Sequence, residues 1–226
     1  MSGSVAFARA TAFGRLVGVA LPAEDDLAAV EALAAALPDE ERAHAATLAP
    51  VRRVTWVGGR VALHAALEEL GAAAAPIAST PRGAPILPAG FAGSIAHKRA
   101  LAVALAAPAA PDVTIGVDVE QDWTLRAPAV DITERVLTPA ERARVETLAE
   151  PARATAVLRA FAAKEAIYKA LDPWLGRYVG FREVELDGAT ARFVPRADEP
   201  AFTIELADEA LPGYLLVTAR VQRRAS

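Results

Sequence analysis

The sequence predicts an α+β protein of two similar halves, related by a pseudo-twofold axis, with the active site in the cleft between them. Segments with apolar residues at helical spacing alternate with short β-branched runs. Similar letters also recur about 100 residues apart: Glu41-Arg42-Ala43 returns as Glu141-Arg142-Ala143, and Val17-Gly18-Val19 as Ile115-Gly116-Val117. Because the order of elements repeats as well, we expect two α+β subdomains, 1–110 and 111–226.

The first half is expected to begin with a strand and continue with three helices. Pro22 ends the strand, Pro38 stops the first helix, and Gly71 closes the third helix. We expect the last strand of this half to pair with the strand that begins at Ile115. The expected elements are a strand over 13–21, helices from 25 or 26 to 37, over 39–48 and over 51–70, and a strand within 91–107.

The second half begins with the Ile115 strand, followed by a short helix and a long helix. Thr138, Pro139 and Glu141 provide a hydroxyl cap, a first-turn proline and a third-position glutamate, which together are typical of a helix start. The long helix is expected over 152–171. Alternating segments then predict strands over 181–186, 191–194, 202–206 and 214–221.

The composition excludes several classes of protein. Of the 226 residues, 54% are hydrophobic and 23% are charged, which is ordinary for a soluble globular chain. The chain has no cysteine, which excludes disulfides and thiolate nucleophiles and is compatible with the cytoplasm. No segment reaches the ~18 apolar residues of a membrane span, so we expect no membrane partner. The net charge of −4 argues against a nucleic-acid partner.

Two acidic motifs predict a magnesium-phosphate site. Asp118 and Glu120 are two residues apart in a predicted strand, so their carboxylates share one face. Glu165 and Lys169 are four residues apart in the long helix and also share a face. Three carboxylates and an ammonium suit Mg²⁺ with bound phosphates. Taken singly, these motifs are more typical of a solvated strand edge and a surface helix pair, and it is their combination that favours the metal site.

These residues resemble a known family, the 4′-phosphopantetheinyl transferases of the double-length type that activate surfactin or enterobactin synthetases. The family signature is Gly-(Val/Ile)-Asp-(Val/Ile)-Glu followed by Trp-x-x-Lys-Glu-Ala-x-x-Lys. Here the matching segments are 116–120 and 161–169. Three further segments, 59–62, 82–85 and 93–97, are similar to upstream family motifs. The resemblance covers most of the chain and implies the family's two-subdomain fold.

The resemblance implies transfer of the phosphopantetheine arm of coenzyme A to a serine of an apo acyl or peptidyl carrier protein, with release of 3′,5′-ADP. It implies Asp118, Glu120 and Glu165 as Mg²⁺ ligands. The implied catalytic residues are Asp118, Glu165 as the base for the serine hydroxyl, directly or through metal-bound water, and Lys169 on a diphosphate oxygen.

The same resemblance implies a set of residues that bind coenzyme A. Arg52 and Arg60 would hold its 3′-phosphate, although the beginning of a solvated helix is an equal alternative for Arg52. Two departures from the family pattern are Ala96, where a hydroxyl is usual, and Phe161, where tryptophan is usual. The implied set is Arg52, Arg60, Arg82, Gly83, Pro85, Ser94, His97, Lys164 and Lys169.

Two other functions compete with this interpretation. One is a magnesium-dependent nuclease or phosphodiesterase, which the acidic net charge disfavours. The other is a catalytically silent module that binds carrier protein or coenzyme A, which the three retained carboxylates disfavour. Because duplication within one chain supplies the interface of two halves, we expect a monomer. The synthase served and the carrier-docking surface are not predicted.

Overall fold

The computed structural model describes residues 5–122 and 131–224, except for the Ala210 side chain. The chain divides into two compact units, Met1–Ala110 and Pro111–Ser226. Each unit has its own cluster of buried apolar side chains. No helix in the described ranges is long and apolar enough to cross a membrane.

The first unit is a four-stranded antiparallel sheet covered by a long helix. The strands lie in the order β1-β2-β4-β3, and α3 contacts all but the first of them. The core includes Val17 of β2, Leu63 of α3 and Ala104 of β4. The elements are β1 Val5–Thr11, β2 Gly14–Ala20, α1 Leu27–Ala34, α2 Asp39–Ala46, α3 Pro50–Glu69, β3 Phe91–Lys98 and β4 Leu101–Pro108.

The second unit is a five-stranded antiparallel sheet, also covered by a long helix. Its strands lie in the order β5-β9-β8-β7-β6, and α6 packs against β5 and β9. The capping box predicted at Thr138 and Glu141 is present at the start of α5. The elements are β5 Val113–Gln121, α4 Thr133–Val136, α5 Pro139–Glu146, α6 Ala152–Leu175, β6 Val184–Asp187, β7 Thr190–Phe193, β8 Phe202–Leu211 and β9 Tyr214–Arg223.

The two units share a common core of elements, which supports the predicted repeat. In each unit, the strand that opens the repeat pairs antiparallel with the last strand, β2 with β4 and β5 with β9. Between the two paired strands, both units have two shorter helices, a long helix and then at least one further strand, which is β3 in the first unit and β6 to β8 in the second. The α+β class is therefore confirmed. The pseudo-twofold axis and the cleft between the units stay predictions.

Three local predictions were wrong. The strand predicted within 91–107 is a hairpin of two strands that turns at Arg99, whose φ is 54°. β4 pairs with β2 and β3, and not with β5, because neighbours in the sequence here belong to different units. At 181–183 the chain forms a 3₁₀ turn, and the strand begins only at Val184. Val5–Thr11 is an additional strand that the pattern did not separate.

An ion-pair cluster ties down the chain after α6. Gly176 caps α6 in the left-handed conformation, and Arg177 then donates to Glu183 Oε2 (2.7 Å) and Glu199 Oε2 (3.0 Å). The Glu199 side chain is only 11% exposed. The bonds from Arg177 lower the pKa of Glu199 to about 2, despite the opposing effect of burial. This cluster joins the end of α6 to the segment before β8.

We predict that Glu199→Gln destabilises the protein in a pH-dependent way. A carboxyl with a lowered pKa stabilises the fold above its unfolded pKa, near 4.5, and loses that contribution as the pH falls towards about 2. The variant should therefore lose about 1–3 kcal/mol of unfolding free energy at pH 7 and progressively less below pH 4.5. Urea denaturation from pH 3 to pH 7 measures the difference.

The matched control is Asp198→Asn, which removes the charge of the exposed neighbouring acid. It should change stability by less than about 0.5 kcal/mol at any pH. A Glu199→Gln deficit that stayed constant over the whole pH range would contradict the electrostatic explanation.

Candidate active site

A backbone contact between β5 and α6 positions the acidic residues of the second unit. A Cβ atom at Gly116 would lie 1.9 Å from the Ala166 carbonyl oxygen, so only glycine allows this approach. Nearby, the Thr114 hydroxyl donates to the Ala170 carbonyl (2.6 Å) and accepts from Trp174 Nε1 (3.0 Å). The strand and the helix are therefore fixed to each other over two helical turns.

Asp118 and Lys169 meet across this contact. The Lys169 ammonium donates to Asp118 Oδ1 (2.7 Å) and to the Val117 carbonyl (3.0 Å). Asp118 is 7% exposed, and its second oxygen, the buried Oδ2, has no hydrogen-bond partner among the residues that the structure describes. Buried carboxylate oxygens are rarely left unsatisfied, so this atom needs a further cation or donor. The structure therefore brings together the predicted strand acid and the predicted helix lysine.

Glu165 lies close enough to Asp118 for their charges to interact. Burial raises the pKa of Glu165, the Asp118 carboxylate raises it further, and Lys169 and Arg135 act in the opposite direction. Two carboxylates that face each other in a partly dehydrated site favour a cation between them or a shared proton. The arrangement is therefore suited to hold a cation or to accept a proton.

Glu120, the third predicted ligand, is 6% exposed and lies on the same strand face as Asp118. Over residues 5–122 and 131–224, however, no three histidine, cysteine or acidic side chains are arranged to enclose a metal ion. A three-carboxylate magnesium centre therefore remains a prediction. In the described arrangement, Lys169 already supplies one positive charge to Asp118.

Lys164 lies elsewhere than the resemblance implies. Its side chain is 1% exposed, and the ammonium donates to Glu141 Oε2 (2.6 Å) and to the Val136 carbonyl (2.9 Å). Burial lowers the pKa of Lys164, and the contacts with Glu141 oppose that shift. The expected contact of Lys164 with coenzyme A stays a prediction, and in this structure the ammonium is enclosed by protein.

Arg60 of the first unit is also buried. Its side chain is 3% exposed, and NH2 donates to Ser79 Oγ (2.7 Å) and to the Ala78 carbonyl (3.3 Å). NH1 lies 3.9 Å from Glu41 Oε1 and makes no hydrogen bond to any described residue. The guanidinium carbon lies 5.0 Å from the centre of the Trp56 ring. The expected contact with a 3′-phosphate is therefore not available to Arg60 in this conformation.

Sequence reasoning missed Glu41 and Glu141, the partners of these two buried cations. The signal was present, because Glu41 and Glu141 are equivalent in the repeat, as are Arg60 and Lys164. A positive charge kept at the same position of both copies, among the buried apolar residues of the long helix, indicates a buried pair.

The other expected ligands of the first unit lie at its surface or in a turn. Arg52 and Arg82 are exposed, and so is His97. Gly83 has a φ of 86°, and its N–H donates to the Thr80 carbonyl (2.9 Å), which forms the turn that carries Arg82. Pro85 pairs with Ser79 across this loop.

Two family models match the chain. Residues 114–211 match the 4′-phosphopantetheinyl transferase superfamily, and residues 40–107 match the 4′-phosphopantetheinyl transferase N-terminal domain. The 4′-phosphopantetheinyl transferase PptT of Mycobacterium tuberculosis is 32% identical over 197 residues, which are 81% of this chain and 84% of the relative. The chain belongs to the 4′-phosphopantetheinyl transferase superfamily.

Two other members of the superfamily are matched over shorter segments. The transferase Npt of Nocardia iowensis is 36% identical over 135 residues, and Svp of Streptomyces mobaraensis is 36% identical over 150 residues. These matches cover 60% and 65% of this chain, respectively, and span 59% of the length of each relative.

The two departures from the superfamily signature have different surroundings. Phe161 is the first residue of the 161–169 signature segment within α6. It packs on Phe181, with ring centroids 5.5 Å apart, so an aromatic contact is kept at this position. Ala96 is 4% exposed on β3, where its side chain is buried. On the same strand, Ser94 is buried and His97 is exposed. A hydroxyl at position 96 would therefore be largely enclosed by protein.

We predict that Gly116→Ala damages the site and the fold together. The added methyl group must push β5 away from the Ala166 carbonyl, which should cost about 1–3 kcal/mol of unfolding free energy. The separation should also lengthen the contact between Asp118 and Lys169. Thermal unfolding and a crystal structure of the variant measure both effects.

Gly180→Ala is the matched control in the same unit. Its new Cβ would contact only Glu183 Oε1, at an ordinary 3.4 Å, so both stability and the Asp118–Lys169 distance should stay unchanged. If Gly116→Ala behaved like this control, the close approach would not be what positions the site.

Proposed function

We propose that this chain transfers the 4′-phosphopantetheine arm of coenzyme A to a serine of an apo acyl or peptidyl carrier protein, giving the holo carrier and 3′,5′-ADP. Membership of the superfamily supports the activity. The observation that carries the assignment to this site is the buried Asp118 carboxylate, bonded through Oδ1 to Lys169 and unpartnered at Oδ2, with Glu165 beside it.

The reaction forms one bond and breaks one bond. The serine oxygen bonds to the phosphorus that carries the pantetheine arm, and the phosphoanhydride bond to the adenosine phosphate breaks. The serine proton goes to Glu165, whose raised pKa makes it a stronger base than an exposed glutamate. The Lys169 ammonium stays with Asp118 and supplies positive charge where the diphosphate oxygens become more negative.

We propose that Asp118, Glu120 and Glu165 hold Mg²⁺. The unpartnered Asp118 Oδ2 and the three carboxylates form an all-oxygen donor set, which suits this hard cation, while water and phosphate oxygens would complete its ligands. When bound, Mg²⁺ neutralises charge on the coenzyme A diphosphate. The first unit has Ala20 and Val61 at the positions equivalent to Asp118 and Glu165, so it offers no second copy of this site.

The exposed basic side chains of the first unit are the proposed contacts for the coenzyme A phosphates. Arg52 lies in the first turn of α3, Arg82 lies on its glycine turn, and His97 is the residue before the last of β3. We assign the 3′-phosphate to Arg52, since the Arg60 guanidinium is buried with Ser79 and Glu41. We also propose a cytoplasmic monomer.

The first test is the mass of an apo carrier protein after incubation with this protein, coenzyme A and Mg²⁺. A gain of one phosphopantetheine arm is expected. Asp118→Asn and Glu165→Gln should each slow transfer by roughly 100-fold or more, because each removes charge from the reacting centre. Asp208→Asn, an exposed acid paired with Arg159, is the control and should transfer at the wild-type rate.

Two negative results have different meanings. Coenzyme A binding without transfer to fatty-acid, polyketide or peptide carriers would favour a silent binding module. Absence of both binding and transfer would refute the proposed function.

We predict that Arg52→Ala and Arg60→Met differ in their effect on the recognition of coenzyme A. Arg52→Ala should lower kcat/KM for coenzyme A about tenfold and leave that for 3′-dephospho-coenzyme A unchanged, because it removes one charged contact with the 3′-phosphate. Arg60→Met should lower the melting temperature and leave the ratio of kcat/KM for coenzyme A to kcat/KM for 3′-dephospho-coenzyme A unchanged. A changed ratio in Arg60→Met would mean that Arg60 turns towards the substrate.

A further inference from the structure

The described contacts leave Glu165 without a bond of its own. Within the described residues, its carboxylate makes no hydrogen bond or ion pair, and only burial and nearby charges influence it. Its position therefore depends on the placement of α6. Two lysines on that helix are bonded to other elements. Lys169, four residues later, is bonded to β5, and Lys164, the preceding residue, is bonded to α4 and α5.

Glu141 is the centre of the second anchor. Its Oε2 accepts from Lys164 Nζ (2.6 Å) and from the Thr138 N–H (2.7 Å), and its Oε1 accepts from the Leu186 N–H (2.7 Å). Lys164 adds the bond to the Val136 carbonyl (2.9 Å). One buried ion pair thus joins α4, α5, α6 and β6, and we call it the Glu141–Lys164 hub.

The first unit contains a related buried glutamate and cation, although there Glu41 Oε2 contacts His64 Nε2 (2.6 Å) and Arg60 NH1 lies 3.9 Å from Glu41 Oε1. Glu41 is the third residue of α2, as Glu141 is of α5. Its Oε1 accepts from the N–H of the buried Ile77 (3.1 Å), as Glu141 Oε1 does from that of Leu186. Arg60 replaces Lys164 as the buried cation. The residue that follows the cation is Val61 in the first unit and Glu165 in the second.

Stability alone does not explain a buried ion pair of this kind. Replacing such a pair by apolar residues of similar size is often neutral or stabilising, whereas charged partners with several hydrogen bonds define one geometry. Both cations sit in the long helix that covers the sheet of their unit. The hub therefore fixes the rotation and depth of that helix, and in the second unit this determines where Glu165 lies.

We propose that Glu141 and Lys164 are positioning residues for Glu165, and that Lys164 does not contact coenzyme A. The inference rests on the proposed function, since it assigns Glu165 to the transfer reaction and to metal binding. The role is indirect, because the hub acts through the backbone of α6. Supporting partners of metal ligands typically change metal affinity or activity by about 10- to 100-fold when they are replaced.

The test compares wild type with the double variant Glu141→Leu plus Lys164→Met, which replaces the pair by apolar side chains. Mn²⁺ affinity measured by calorimetry reports the site without turnover. We expect a melting temperature near that of wild type, Mn²⁺ affinity and kcat each reduced about tenfold or more, and a KM for coenzyme A within about threefold of wild type.

Two further variants sharpen the comparison. The single variant Lys164→Arg keeps a positive charge and has the same side chain as Arg60, the buried cation of the first unit. Its kcat and Mn²⁺ affinity should stay within about threefold of wild type. Arg159→Met removes an exposed ion pair with Asp208 on the same helix and should move neither quantity. A tenfold loss in Arg159→Met would show that any charge change on α6 has this effect, and would overturn the proposal.

A folded double variant with wild-type kcat and Mn²⁺ affinity would also overturn the proposal. If the double variant does not fold, Glu141→Gln decides, because it keeps the side-chain shape, removes the charge and replaces one of the two acceptor oxygens by an amide nitrogen. Unchanged kcat and Mn²⁺ affinity in Glu141→Gln would then refute the positioning role. Failure of the proposed function is distinguishable, because in that case wild type itself transfers nothing.

Discussion

The close approach of β5 and α6 is the constraint on which the candidate site depends. Gly116 lets the strand lie against the Ala166 carbonyl, so that strand and helix touch through their backbones without side chains between them. Lys169 is long enough to reach Asp118 only across such a short gap. Thr114 and Trp174 hold the contact further along the helix. The glycine of the family signature therefore has a steric role, and the acids around it are the proposed chemical groups.

The same repeat produces two units of different character. Each builds an antiparallel sheet, covers it with a long helix and buries one cation against one glutamate. In the second unit, the residues next to this framework are Asp118 and Glu165, and in the first unit the equivalent positions hold Ala20 and Val61. The framework is thus common to both copies, whereas the acidic chemistry is an addition to one of them.

The sequence predicted the elements well where the pattern is local. The capping box at Thr138 and the order of strands and helices follow from neighbouring residues, and Asp118 and Lys169 lie together as their motifs suggested. Strand pairing was less predictable, because a local pattern does not indicate which distant strand will pair. β5 pairs with β9, about a hundred residues later in the chain. The burial of Lys164 was not predicted for a similar reason. A lysine beside a candidate catalytic glutamate suggests a ligand contact, and its buried partner 23 residues away is decided by packing.

The apolar residues Ala20 and Val61 have an evolutionary consequence. A duplicated domain that has no acidic centre of its own is under selection only for what it still contributes, and its sequence is free to diverge where stability permits. The second copy cannot change in this way without loss of its carboxylates. Over evolutionary time the first unit should therefore be the more variable half, and the natural place for changes in substrate preference to arise.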